Sequence, residues 1–167
     1  MRKIIAFFMR IKYRISLRWK KIKIKLLYGK RFQYGKKFFF RKRFEVRIDK
    51  GQIIIGDNCF FNNDCSINSL NCIYIGRDCI FGENVKIYDH NHRFDKSVLI
   101  GTQGYKSSKI TIGNNCWLGS NVTILSKAQI GNNCIIGAGT VINENIPDDS
   151  IVTMERNILI KKREYKN

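Results

Sequence analysis

Both histidines of this 167-residue chain fall in one stretch, IYDHNHRF at residues 87–94, where His90 and His92 stand one residue apart beside Asp89. Imidazoles so placed serve two kinds of chemistry. One is metal binding, but a histidine-based zinc site draws its protein ligands from three positions, and no third histidine exists in the sequence. No metal is expected. The other is proton transfer: an imidazole titrates close to neutral pH, so it takes up and returns protons under ordinary conditions. Asp89 or a backbone carbonyl would fix the tautomer of one ring, and the residues alone do not rank the two.

Something must hold these side chains still, and the surrounding sequence says what. From Ile55 onward the chain repeats every six residues: IGDNCF, FNNDCS, INSLNC, two extra residues, then IGRDCI, FGENVK, IYDHNH. After residues 93–111 it resumes as IGNNCW, LGSNVT, ILSKAQ, IGNNCI, IGAGTV, INENIP. The first position is Ile, Leu or Phe in all twelve hexads, and Gly takes the second in seven. Period six fits neither a 3.6-residue helix nor a plain hairpin; it fits a solenoid whose coils have three flat sides. Stacked coils then pair as parallel strands about 4.8 Å apart, with first-position residues inside and glycines turning the corners. Upstream, GKRFQY, GKKFFF and RKRFEV keep the period, so a degenerate first coil begins near Gly29. The lysines and arginines there read as a solvated rim.

The cysteines test this register. Cys59, Cys65, Cys79, Cys116 and Cys134 occupy fifth positions, and Cys72 ends a hexad. They lack the clustering of a metal site and the pairing of a secreted scaffold, so they read as small buried thiols in a reducing compartment.

The hexads, the interrupting loop and the segment IGAGTVI resemble the hexapeptide-repeat acyltransferases over about residues 51–147. That resemblance implies a left-handed parallel β-helix, a homotrimer, and acetyl-coenzyme A as co-substrate. Within the family the sequence is similar to the galactoside, maltose and surface-polysaccharide O-acetyltransferase branch. That branch carries an acceptor-binding Asn, a catalytic His thirty residues later, and a Trp after a protruding loop. IGDNCFFNN places the Asn at Asn62, NVKIYDHNH places the His at His92, and IGNNCWLGS places the Trp at Trp117. His90 is two residues early for the base and is assigned, with Asp89, to the acceptor side. Ser120 and Ala138 match positions whose backbone approaches the thioester and the pantetheine arm, where amides stabilise a tetrahedral oxyanion.

The implied reaction is acetyl transfer from the thioester to a sugar hydroxyl of a bacterial surface polysaccharide or its lipid-linked precursor. His92 would deprotonate the hydroxyl and return the proton to the departing thiolate, directly in a ternary complex. The alternatives are an N-acetyltransferase acting on a nucleotide-linked amino sugar, and a non-catalytic solenoid tethered by its N-terminus. Loop 93–111 is too long for a coil corner and is expected to arch over the site, with Tyr105 and Lys106 in reach of the acceptor. The C-terminal VTMERNILIKKREY lacks the glycine and proline of the family's closing turn. Lys161 is the expected contact to the coenzyme A phosphates from a basic tail, residues 154–167.

The charge balance sets the N-terminus apart. The chain carries a formal net charge of +18, yet residues 1–43 hold 17 of the 31 Lys and Arg and no acid. Ile4, Phe8, Ile11, Ile15, Trp19, Ile22 and Leu26 line one helical stripe, with Arg10, Arg14, Arg18, Lys21 and Lys25 along another. A nucleic-acid arm has little use for so many large apolar groups, so no nucleic acid is expected. Residues 1–28 read instead as an interfacial helix for an anionic membrane surface, or as a helix packed on the domain at residues 29–153. The apolar run from Ile4 to Met9 is far short of the ~20 residues that cross a bilayer. The expected location is the cytoplasm, at the inner face of the plasma membrane.

Overall fold

A computed structural model describes residues 2–154 of the chain. Lys161 and most of the basic tail lie outside the described residues. After the helix Arg2–Tyr28 and a short turn at Gly29–Arg31, the chain winds through six coils of a parallel β-solenoid, the expected all-β class. Three sheets form its sides, two of six strands and one of five. On the first side Ile55 pairs with Ile75, Ile75 with Ile112, and Ile112 with Ile130. The second side stacks Phe40, Phe61, Phe81, Leu118 and Ile136, and the third stacks Ile67, Ile87, Ile124 and Ile142.

These first-position residues are at most 3% exposed and form the core. Burying each aliphatic side chain contributes roughly 2 kcal/mol, so a regular column of them makes each coil depend on its neighbours. The Phe61 and Phe81 rings stack with centroids 4.0 Å apart and planes 3° from parallel, the geometry that a coil-to-coil spacing imposes on superposed rings. The fifth-position thiols are buried as read: Cys59, Cys79, Cys116 and Cys134 donate to Gly76, Gly113, Gly131 and Pro147 carbonyl oxygens one coil on, at 3.1–3.2 Å.

The corners correct one expectation. Second-position glycines do not turn them; fourth-position residues do, through left-handed backbone at Asn58, Asp78, Asn115, Asn133 and Gly139 (φ 57, 61, 54, 56 and 74°). Asn and Asp tolerate that conformation because a short polar side chain bonds locally. Here the bonds run up the corner, Asn115 Nδ2 to Asn133 Oδ1 at 3.0 Å and Asn133 Nδ2 to Asp149 Oδ1 at 2.9 Å. The second-position glycines answer a different constraint, lack of room. A Cβ on Gly113 would lie 2.5 Å from the Gly131 carbonyl oxygen of the next coil.

The N-terminal helix lies across the open end of coil 1. Leu17 and Ile24 are 7% exposed against it. Lys21 Nζ donates to the Phe38 carbonyl, Lys25 Nζ to that of Phe32 at 3.1 Å, and Tyr28 Oη to that of Val46 at 3.1 Å. Those carbonyls lie on the first side, just before the second and on the third. Two cations expected along the headgroup stripe therefore serve the fold instead, and burial lowers the Lys21 pKa from the ordinary lysine value. The apolar stripe itself stays in solvent: Trp19 is 67% and Leu26 81% exposed, and Phe8, Ile11, Ile15 and Ile22 are 38–63% exposed. The Ile4 and Arg10 side chains lie outside the described ones. No helix among the described residues is long and apolar enough to cross a membrane.

Candidate active site

The strand Lys86–Tyr88 ends coil 3 on the third side, and the next coil begins only at Ile110–Ile112. Between them the chain leaves the solenoid as a hairpin rather than an irregular loop: His90–His92 pairs antiparallel with Tyr105–Ser107, setting His92 opposite Tyr105 and His90 opposite Ser107. The hairpin is anchored at its base by Asp89, whose carbonyl accepts the Ser108 N–H at 2.9 Å.

The Asp89 side chain is fully buried and each oxygen has two partners. Oδ1 accepts Leu70 N–H at 2.8 Å and faces His90 Nδ1 at 3.1 Å; Oδ2 accepts Ser69 Oγ–H and Asn71 N–H, both at 2.8 Å. Asp89 therefore locks the corner at residues 69–71 and orients His90, not His92. His92 is exposed, with the Tyr105 ring 4.5 Å away; the same ring meets His90 edge-on at 5.4 Å.

Two cavities open beside His92. The smaller, about 190 Å³, faces the earlier coils and is lined by Asp49, Asn68, Ser69, His90 and Tyr105 together with His92 and Arg47. The larger, about 450 Å³, faces the later coils, with Phe94 and Leu125 as apolar wall and Arg93, Lys106 and Lys127 as cations. Asn91, Ser108, Ser126, Asn143 and the carboxylate of Asp95 complete it. Sequence reading missed Ser126 and Lys127, although the signal was present: Ile124 pairs with Ile87, so the hexad ILSKAQ stacks directly on IYDHNH.

The other expected site residues stand elsewhere on the solenoid. Asn62, Ser120 and Ala138 occupy the corner between the second and third sides, and Trp117 projects from the second side at 54% exposure. Asn62 Oδ1 accepts its neighbour Asn63 N–H at 2.9 Å and Arg41 Nη1–H at 3.3 Å, and Ser120 Oγ accepts Glu83 N–H at 3.2 Å. From that corner to His92 is the whole third side, about six residues and so roughly 20 Å. Within one chain the two groups do not meet. Among the described residues no three His, Cys, Asp or Glu side chains gather where a metal ion would sit.

Residues 109–144 match the model of the bacterial transferase hexapeptide, six repeats. An Escherichia coli (strain K12) protein named for lipopolysaccharide biosynthesis O-acetyl transfer, WbbJ, is 32% identical over 125 residues, 70% of this chain and 64% of that protein. The repeat at residues 109–144 is that of the hexapeptide-repeat transferase family, and the chain is similar to its members over a longer span. Among solved members, a maltose O-acetyltransferase from Clostridium difficile 630 is 31% identical with a TM-score of 0.62, over 72% of this chain and 64% of that one. A galactoside acetyltransferase in complex with coenzyme A is 26% identical with a TM-score of 0.54, over 72% and 60%. This hexapeptide-repeat chain thus spans less than two thirds of the length of the relatives it matches.

Proposed function

We propose that the chain transfers an acetyl group from acetyl-coenzyme A to a sugar hydroxyl, with His92 as the general base. The observation that carries this reading is the position of His92 between two cavities, so that one imidazole faces a donor on one side and an acceptor on the other. The larger cavity pairs an apolar wall with three cations against the single acid Asp95, a net positive lining that suits a pantetheine arm and phosphates. The smaller is lined by hydrogen-bonding groups, which suits a sugar. His92 accepts the hydroxyl proton as the oxygen attacks the thioester carbon, then returns it to the departing sulfur. Names among the relatives support the same chemistry, and the lipopolysaccharide relative supports a surface-glycan acceptor.

Asn62 and Trp117 join this site from a neighbouring subunit. A threefold assembly sets one chain's His92 edge against the next chain's Asn62 edge, and the exposed Phe94, Val98, Leu99 and Ile100 of the hairpin loop supply apolar contact for it. The helix stripe, with Arg14 and Arg18 exposed beside it, holds the assembly at an anionic membrane surface where a lipid-linked acceptor is made. The deciding assay is coenzyme A release with hydroxyl-bearing and amine-bearing sugars, for wild type and His92→Ala. Acetyl transfer to amines alone would replace this reading with N-acetylation; no release with any acceptor leaves only a scaffold.

A further inference from the structure

A third cavity, of about 410 Å³, lies between the helix and the third side of coils 1 and 2, and it holds Lys20, Lys23 and Arg47 against the single acid Glu45. Arg47 and Asn68 line this cavity and also the small cavity beside His92. They are register partners on adjacent strands, so the two spaces join across one coil spacing of the same sheet face. We infer that the cavity under the helix is a diphosphate subsite, which holds the diphosphate of an activated glycan while one of its sugar hydroxyls reaches His92.

The charge count fits that ligand. Three cations stand against Glu45 and against Asp49, which pairs with Arg47, so the lining keeps a net positive charge of the sign that a diphosphate requires. Lys20 is partly withdrawn from water, and that burial lowers its pKa, with Lys23 adding to the effect and Glu45 opposing it. Crowded ammonium groups of this kind gain from an anion placed between them. Arg47 spends its Nε on Asp49 Oδ1 at 3.3 Å, which aims a planar fork where the two cavities meet. A neutral free sugar would have no use for this arrangement, and the donor's own phosphates have the other three cations, on the far side of His92.

The inference rests on the acetyltransferase reading, since it assigns the small cavity to the acceptor. Both lipid-linked and nucleotide-linked glycans carry the diphosphate, and the two are separable. Full-length protein is first titrated with coenzyme A, a step that tests the acetyltransferase reading by itself. The loaded protein is then titrated calorimetrically with inorganic pyrophosphate, UDP and farnesyl diphosphate, with farnesol as the control for the exposed apolar stripe. All three diphosphates should bind wild type and bind Lys20→Gln/Lys23→Gln/Arg47→Gln at least tenfold more weakly. Lys23→Gln/Arg47→Gln, which alters only exposed side chains, should show a weakening of the same sign. Tighter farnesyl diphosphate identifies a lipid carrier, tighter UDP a nucleotide one. Unchanged affinity in the variants, or no pyrophosphate binding to wild type, overturns the subsite while leaving acetyl transfer intact.

Discussion

At the scale of single residues, the two histidines separate by what holds them. His90 is tied to a buried carboxylate, whereas His92 is free to face both cavities. His92→Ala should lower kcat by at least ~10², the usual loss for a general base, with coenzyme A affinity near wild type. His90→Ala should cost far less. Steady-state kinetics with calorimetry checks both, and a reversed order would hand the base to His90, whose Nδ1 already faces Asp89. Asp89→Asn should lower stability by ~2 kcal/mol, because an amide cannot accept from Leu70, Asn71 and Ser69 together. The thiols offer a separate test. Burial pushes the Cys65 thiol up to about 11, and hydrogen bonds that Cys79 donates to Cys116 and Cys59, with burial, push Cys79 up as well. At pH 8 a maleimide should label the partly exposed Cys72 while Cys65 and Cys79 react only after denaturation, read by mass spectrometry.

Among elements, the glycines give the sharpest prediction. Gly113→Ala forces a methyl onto the next coil's carbonyl and should lower stability by about 1–3 kcal/mol, whereas Gly101→Ala, with nothing within 4 Å, should be neutral in urea unfolding. The solenoid was legible because period six reports a side chain's side of the coil directly: Ile55, Phe61 and Ile67 each turned out buried in one of the three sides. The candidate stretch stood out because histidine is rare in this chain. What stayed hidden depends on stacking between coils, which single hexads do not encode. Asp89 was read beside the acceptor, but its partners are the Leu70 and Asn71 amides one coil back. Likewise the helix stripe was legible as amphipathic, yet only the docked helix shows that Leu17 and Ile24 between its apolar residues do the packing.

For the whole molecule, the distance between the Asn62 corner and His92 makes a shared site testable. His92→Ala and Asn62→Ala chains, each impaired alone, should regain part of the wild-type rate when mixed during refolding or co-expressed, because some interfaces then carry two intact halves. A monomer at full activity in sedimentation would remove this model. The exposed apolar stripe predicts that wild type pellets with phosphatidylglycerol vesicles at low salt and is released at high salt, where headgroup attraction is screened. Trp19→Glu/Leu26→Glu should stay in the supernatant with its unfolding midpoint unchanged, since both side chains already face water. Removing the whole helix is a poorer test, for a reason that reaches beyond binding. A solenoid end is a ready-made template: its unpaired carbonyls and apolar floor invite the end of another copy to stack on it, and such head-to-tail contacts do not close. Lys21, Lys25 and Tyr28 occupy three of those acceptors, so removal of the helix would open that end to head-to-tail growth as well as abolish any vesicle contact.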